Sequence, residues 1–345
     1  MTTLVFDYDF LLYSAGSVGE TRSIKVVHRA SGDEYEFSTR SAFYGHHLKK
    51  AGGWLAEYNA AKQKEENKRK PEEFDITDVQ IAEPLSNCLH TLKRQIDAVK
   101  ETLDTKLYYG YSGKGKTFRD DVATILGYKA NRIGAMRPLH LDSMKEYLVK
   151  NHACEIVEEV EADDACSIDS YTAWQKWSKS KSDNDKLILV AIDKDAKGTT
   201  CHLYNPNKAN SGVDSHSGFG GLWLDSKGSV DGRGRMWFYF QVLYGDSADN
   251  YSASSAVKGM KWGEKAAYDL LKNAKNDKEA FEALLKGYRT LYPRPKEITG
   301  HKGDTLIVDA LYVMQENATL AHMLRWRGDK VDVKEVMGKL GVEYE

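Results

Sequence analysis

LILVAIDKD, residues 187–195, is the stretch that decides the fold class. Leu187 to Ile192 are apolar without interruption, so no polar face is left for solvent. A short run of this kind reads as a strand covered on both sides, as in a parallel sheet. It ends in two acids, Asp193 and Asp195. LVFDYD, residues 4–9, repeats the pattern at the N-terminus, and residues 1–13 read as one strand in which Leu4, Val5 and Phe6 run into Asp7 and Asp9. In open α/β sheets, ligands gather beyond the carboxyl ends of the strands. Two apolar strands that both finish in an Asp pair therefore point to a cleft lined with carboxylates.

Working outward, residues 24–37 read as a hairpin turning at Ser31-Gly32-Asp33. Residues 41–100 look helical, with a charged middle, KQKEENKRKPEE, whose mixed signs fit a solvated helix end and loop. LYYGYS (107–112) is strand-like and leads into a Lys/Gly/Arg-rich stretch that runs to Arg137. Residues 161–178 read as a helix with Ile168, Tyr171, Trp174 and Trp177 as its core stripe. Residues 205–235, rich in Gly, Ser and Asn, read as a mobile surface loop. WFYFQVLYG (237–245) fits strand or helix, and helical patterns follow to the C-terminus. Strands alternating with helices imply a layered α/β fold.

The 345 residues, 41% hydrophobic and 29% charged, are enough for a substantial core in one large domain or a core with a smaller lobe. Mean hydropathy is −0.57, and no apolar run is long enough for a membrane helix. The N-terminal MTTLVFDYDFLLYS has neither a basic start nor a cleavage site, and it reads as a buried strand instead of a secretion signal. Cys88, Cys154, Cys166 and Cys201 are widely spaced and fit free thiols in a reducing compartment. Net charge is −2, not the basic balance of a simple nucleic-acid binder, but a carboxylate-rich metal site masks local basic patches.

Two more acidic stretches join the strand ends. EADD opens a predicted helix with Glu161, Asp163 and Asp164, where Glu161 and Asp164 share a face. GDSADN places Asp246 and Asp249 three apart, on one face if helical. Any one of these acids reads equally well as a cap or a surface charge. Together they repel, and hard cations with oxygen preference resolve the repulsion. Magnesium takes one or two carboxylates and keeps several waters, so a set this large suits two or more ions. Paired ions can activate a water and stabilise the attacking and leaving oxygens of a phosphoryl displacement.

VFDYDFLLY, FRDDVATILGYKANR (118–132), EVEADDA (159–165), IDKD (192–195) and GDSADNY (245–251), read in that order, resemble the motifs of the 5′ nucleases, the flap endonucleases and 5′→3′ exonucleases, and most of all their bacteriophage members. The resemblance runs over nearly the whole chain. It implies a three-layer α/β core with a mainly parallel central sheet, a helical arch over about 113–150, and two or three Mg2+ or Mn2+ ions. It makes Asp7, Glu161, Asp163, Asp164, Asp193, Asp195, Asp246 and Asp249 metal ligands or the acids behind them, with Asp7 and Asp193 central to catalysis. Lys129 and Arg132 then steer the scissile phosphate, Tyr128 stacks on a terminal base, and Arg119 and Lys116 in the basic stretch contact DNA. AVKGMKWGEKAAYDLL (256–271) matches a helix-three-turn-helix that grips duplex backbone through Gly amides and a bound K+, at Gly259, Gly263 and Lys265. The implied partner is DNA with a 5′ end, flap or nick, or an RNA–DNA hybrid, bound by a cytoplasmic monomer. On this reading residues 1–255 are a nuclease core with an insert at about 14–100, and 256–345 complete the same compact domain.

The chain departs from the family at three points. Ser112 stands near where the family has another Asp, the GMKWGEK loop is two residues longer than the usual Gly-x-Gly turn, and the 14–100 insert exceeds that of smaller phage members. A runner-up reading is a haloacid-dehalogenase-type phosphatase with Asp7 as nucleophile and Asp9 as acid. It meets Leu11 where that family prefers Thr or Val, and it leaves EADD, IDKD and YKANR without a role. A third reading is a structure-selective DNA-binding protein whose metal site has decayed.

Overall fold

β1 (Thr3–Asp7) ends at its first acid, and α1 (Tyr8–Gly16) starts at once. Asp9 therefore lies in the first turn of a helix, not on the strand expected over 1–13. The chain continues through β2 (Glu20–His28), β3 (Glu34–Phe37), α2 (Arg40–Tyr44), α3 (Trp54–Ala60), β4 (Phe74–Ala82) and α4 (Leu85–Thr102). Next come β5 (Leu107–Thr117), α5 (Phe118–Val122), α6 (Leu141–Asn151), β6 (Cys154–Glu159), α7 (Ala162–Ser180) and β7 (Leu187–Val190). After β8 (Cys201–Tyr204), β9 (Asp214–His216), β10 (Gly221–Leu224) and β11 (Val230–Arg233), the last third holds α8 (Arg235–Tyr244), α9 (Glu264–Leu271) and α10 (Asp277–Leu291). It closes with β12 (Lys296–Thr299), β13 (Thr305–Val308), α11 (Ala310–Ala321) and α12 (Val333–Leu340). This computed structural model describes all residues except 46–51, 63, 65, 66, 258, 261 and 345, and the side chains of 209–211. Part of the expected solvated stretch KQKEENKRKPEE thus lies outside the described residues.

The chain forms two compact units. One comprises Met1–Leu11, Ile96–Met136 and Lys145–Glu345, and the other Leu12–Gln95 and Arg137–Met144. The first is a mixed α/β body around a six-stranded sheet of order β6-β5-β1-β7-β8-β9, parallel except for β9. β1 and β7, the two strands read from their apolar runs, are neighbours in register from Thr3↔Leu187 to Phe6↔Val190. Leu4, Val5 and Phe6 are fully buried, which contributes roughly 1.5–3 kcal/mol each. α7 packs on this sheet, and α8 to α11 enclose a second apolar core around Phe240, Leu243, Phe281, Leu284 and Tyr288.

The second unit is an antiparallel sheet of order β3-β2-β4 with an aromatic core of Phe43, Trp54 and Phe74. Its β2–β3 hairpin turns where expected, with Gly32 at φ +73°.

Several local expectations change. The helix expected over 41–100 is interrupted by β4, whose Ile76, Thr77, Val79 and Ile81 are strand-forming residues. The loop expected over 205–235 contains the β10–β11 hairpin and β9. The helical C-terminal region contains the β12–β13 hairpin. The stripe expected as the core of α7 is only half-buried, and its buried face carries Asp164, Ala165, Cys166, Ser167 and Ser170. Small and polar residues are buried there because the helix start serves the site described next. The 113–150 range holds the end of β5, α5, a 3-10 turn at Ala130–Arg132 and most of α6. All four cysteines are buried and free.

Candidate metal centre

The ends of β1 and β7 carry the same local device. The Asp9 N–H donates to Asp7 Oδ1 at 3.0 Å, and the Asp195 N–H donates to Asp193 Oδ1 at 2.9 Å. Each DxD thus turns its first carboxylate back over its own chain. Asp7 is pushed up to about 8 by burial, reinforced by the like charges of Asp9, Asp193 and Glu161, against the opposing N–H bond. Acids from β1, α1, α7 and the end of β7 therefore share one mouth of the sheet.

α7 supplies the second group. Glu161 is its N-cap, and Asp164 accepts the Glu161 N–H at 3.4 Å in a capping box. Asp163 accepts the Asp164 N–H at 2.7 Å. One oxygen from each of Glu161, Asp163 and Asp164 lies within 4.8 Å of the others.

Asp195, Asp246 and Asp249 form a third group on the same criterion, within 4.8 Å. GDSADN is not helical, as an Asp246–Asp249 face requires. It is a tight turn closed by the Asp246–Tyr251 bridge (2.8 and 3.1 Å), with Asn250 at φ +64°. The turn still aims both acids inward, and the Ala248 N–H donates to Asp246 Oδ1 at 2.8 Å.

YKANR lies between these groups. The Lys129 ammonium donates to Glu161 and sits 3.7 Å from Asp249 Oδ1. The Tyr128 hydroxyl donates to Glu161 at 3.0 Å and to Asp249 at 2.9 Å. Arg132 Nη2 donates to Asp249 Oδ1 at 2.9 Å, and Lys194 Nζ pairs with Asp246 Oδ2 at 3.0 Å. Burial opposes ionisation of both Lys129 and Glu161, but the charges win. Glu161 and Asp249 hold Lys129 above the ordinary lysine range, and Lys129 and Arg119 hold Glu161 below the ordinary carboxylate range.

Three further acids are shifted upward. Burial, then neighbouring carboxylates, raises Asp163 and Asp195 well above the ordinary range, and Asp249 is raised despite Lys129. Among the described residues, Asp7, Asp163, Asp193 and Asp195 have no ion-pair partner, whereas Glu161, Asp164, Asp246 and Asp249 do.

Two expected roles do not fit the geometry. Arg119 is 1% exposed, so it does not face DNA. It grips buried Asp164 with two nitrogens, one of them at 3.0 Å to Oδ1, and donates to the carbonyls of Leu320 and His322 at 3.0 and 2.7 Å. Asp164 also accepts the Leu324 N–H at 3.2 Å, so both of its oxygens are engaged, and it anchors the helix start more than it offers a free ligand. The ring of Tyr128 is buried, so its hydroxyl works as a bridge and its face is closed to a stacking base.

Lys116, Gly259, Gly263 and Lys265 are exposed and touch none of the acids. Gly259 has φ +80°, and Gly263 N-caps α9. Residues 252–257 form turns, so among the described residues α9 is the helix within 256–271.

The Ser112 departure has a structural answer. Ser112, fully buried on β5, donates to Asp9 Oδ1 at 2.6 Å, and the Gly113 N–H donates to Asp9 Oδ2 at 3.3 Å. A carboxylate reaches this position from α1 instead of from β5. Asp9 was visible as the second acid of LVFDYD. Gln241, which donates to Asp195, carried no comparable signal.

No family model matches the sequence, and no curated protein matches it. Among solved structures, the chain is similar to a phage T5 protein co-crystallised with metal ions, with TM-score 0.42 and 15% identity over 73% of this chain and 89% of that one. It is also similar to T5 5′-exonuclease with bound zinc, with TM-score 0.40 and 15% identity over 66% and 79%. A third similar structure is a bacteriophage T5 flap endonuclease in a pseudo-enzyme–product complex with DNA and metal ions, with TM-score 0.41 and 15% identity over 67% and 79%. These superpositions are loose, and the chemistry of this site has to come from its own residues.

Proposed function

We propose that this chain is a divalent-metal-dependent 5′ nuclease that hydrolyses DNA phosphodiester bonds, acting as a 5′→3′ exonuclease and flap endonuclease. One observation carries the reading: two three-carboxylate groups at the end of one mainly parallel sheet, joined by the Lys129 and Tyr128 of YKANR. All the donors are carboxylate oxygens, which suits Mg2+ or Mn2+ and disfavours softer ions. Burial penalises the charged forms of Asp7, Asp163 and Asp195, and among the described residues none of the three has an ion-pair partner, so the residues present fit such ions. Asp7, Glu161, Asp163, Asp193, Asp195, Asp246 and Asp249 would hold two or more of them, with Asp164 and Asp9 supporting. Bound ions supply charge neutralisation and an activated water for a phosphoryl displacement.

The protein's own groups do the rest. Lys129 and Arg132 each reach the acids through a flexible stem, and with those acids neutralised their heads are free for the scissile phosphate and its developing negative charge. The buried Arg119–Asp164 pair keeps the start of α7 fixed while this happens. Exposed Lys116 and Lys265, with the Gly259 and Gly263 backbone, would follow duplex phosphates away from the centre, and a K+ at the Gly259–Gly263 loop belongs to the same proposal. No described helix is long and apolar enough to cross a membrane. A cytoplasmic monomer acting on DNA ends, flaps, nicks or RNA–DNA hybrids completes the reading.

The test is cleavage of 5′-labelled duplex and flap substrates. Products are expected with Mg2+ and none with EDTA, and Asp193→Asn should abolish cleavage while leaving DNA affinity largely intact. Binding without cleavage at any divalent metal would overturn the reading in favour of a DNA-binding protein. A trapped phospho-aspartate on Asp7 would overturn it in favour of the phosphatase.

A further inference from the structure

The segment from Ala123 to Tyr128 joins α5 to Lys129, and the polar backbone groups of its first residues, Ala123 to Ile125, are bonded to groups far away in the chain. His301 Nε2 meets the Ala123 carbonyl at 2.8 Å, and the His301 N–H donates to the Thr124 carbonyl at 3.1 Å. The Thr124 and Ile125 N–H groups donate to the two oxygens of Glu316, at 3.1 and 3.2 Å, and the Thr124 hydroxyl donates to the same carboxylate. The Tyr312 hydroxyl reaches the Thr124 hydroxyl at 2.8 Å. At the other end, Asn250 Nδ2 donates to the Gly127 carbonyl at 2.9 Å, and the Lys129 N–H donates to the Asp249 carbonyl at 3.1 Å. The strap is therefore tied to α11 at one end and to the acidic turn at the other. It is also close-packed: a Cβ on Gly300 would stand 2.8 Å from the Thr124 carbonyl oxygen.

Glu316 is 6% exposed and has no ion-pair partner among the described residues. A buried carboxylate is expensive unless its oxygens are fully bonded, and here the strap's own N–H groups do the bonding. Lys129 needs that support, because it sits at φ +52°, a left-handed conformation costing a non-glycine residue roughly 1–2 kcal/mol. Such a conformation persists only where its surroundings determine it.

We infer that Glu316 is a positioning residue, whose two-oxygen grip on the Thr124 and Ile125 amides fixes the strap and thereby places the Lys129 ammonium between the acid groups. The inference rests on the nuclease reading for its effect on rate, but not for its effect on the strap. Glu316→Gln keeps the shape and loses one acceptor, turning an NH2 toward an N–H. Without DNA, amide exchange at residues 124–132 should then rise about tenfold, measured by hydrogen exchange on the full chain.

In single-turnover cleavage at saturating DNA, Glu316→Gln should be slower by about tenfold with little change in DNA affinity. In a Lys129→Ala background it should have almost no further effect, since it acts through that lysine. Thr124→Val, which removes the hydroxyl contacts to Glu316 and Tyr312 and leaves both amide bonds, should follow the same pattern more weakly and serves if Glu316→Gln does not fold. Unchanged exchange in a folded variant, or full additivity with Lys129→Ala, overturns the inference. Raised exchange in a chain that never cleaves DNA sustains the strap and removes the nuclease reading instead.

Discussion

The two carboxylate groups at the sheet mouth are neutralised in different ways. In Glu161–Asp163–Asp164, the deepest acid is matched by Arg119, which is itself buried and held by the Leu320 and His322 carbonyls. That pairing is permanent architecture. In Asp195–Asp246–Asp249, the counter-charges are Lys194 and Arg132, whose side chains are 42% and 52% exposed, and Asp195 has only the neutral Gln241 amide. Those pairings are movable. The difference leads us to expect that the α7 group stays in place and the turn group exchanges partners. Lys129, on Glu161 and near Asp249, belongs to both.

The harshest break removes an acid that has no ion-pair partner among the described residues. Asp163→Asn should lower single-turnover cleavage roughly a thousandfold, because the lost charge is needed only when metal is bound. The metal-free fold should be unharmed or stabilised, since the removed carboxylate is desolvated and crowded by Glu161 and Asp164. Rapid-quench cleavage and thermal melts on the same sample check both halves. A variant that cleaves at near wild-type rate would take Asp163 out of the centre.

The permanent side of the comparison breaks through Arg119. Arg119→Ala leaves Asp164 buried without its partner, which typically costs about 3–5 kcal/mol. Denaturant midpoints should fall accordingly. Lys129→Ala should lower the midpoint less, because Glu161 keeps Arg119 at 3.5 Å, yet slow the chemical step by more than tenfold. Similar midpoints for Arg119→Ala and wild type would mean that the pair is not the anchor of the α7 start.

Proton linkage sharpens the same contrast. Asp7 rises from 3.8 to about 8 on folding, and Asp163, Asp195 and Asp249 shift the same way. The folded state holds those protons more tightly than the unfolded chain. The EDTA-treated protein should therefore lose stability as pH rises from about 4 to about 8. Glu161 shifts the other way, but only below its ordinary range. The buried His202 and His216, both held below the ordinary histidine value, oppose the trend up to about pH 6.5, so the fall should be clearest from pH 6.5 to 8. Melting temperature measured from pH 5 to pH 8 should fall without metal, and millimolar Mg2+ should flatten the slope. A slope independent of metal would show that these acids are not where the ion binds.

Much of the sheet is legible in the amino-acid sequence. Leu4–Phe6 and Leu187–Val190 have no polar face and are buried strands, and the acids that follow them come at or just past the strand ends, Asp9 in the first turn of α1. The acids of EADD and GDSADN are legible too, although GDSADN reaches its geometry through a turn whose Asn250 takes a left-handed conformation. What stays hidden depends on distance along the chain. Nothing near Arg119 shows that a basic stretch turns inward, because Asp164 lies 45 positions away and the Leu320 carbonyl 201. Glu316 reads as an ordinary helix acid until the strap arrives from 191 and 192 positions upstream. β10 to β13 escape a sequence reading because each is only four residues long, too short for an apolar run or an alternation to be told from loop.

The smallest expected effect tests the movable side. Lys194 pairs with Asp246 at 3.0 Å from a side chain that is 42% exposed, so solvent screening leaves the pair worth less than about 1 kcal/mol. Lys194→Ala should shift the unfolding midpoint only slightly. Its effect should appear in metal binding instead, because the ammonium and a divalent ion compete for the same Asp246 carboxylate. Calorimetric titration with Mg2+ should give a modestly tighter apparent affinity for the variant, about two- to fivefold for a pair of this strength. Weaker binding would mean that Lys194 supports the ion's place instead of occupying it, and the turn group would then be as permanent as the α7 group.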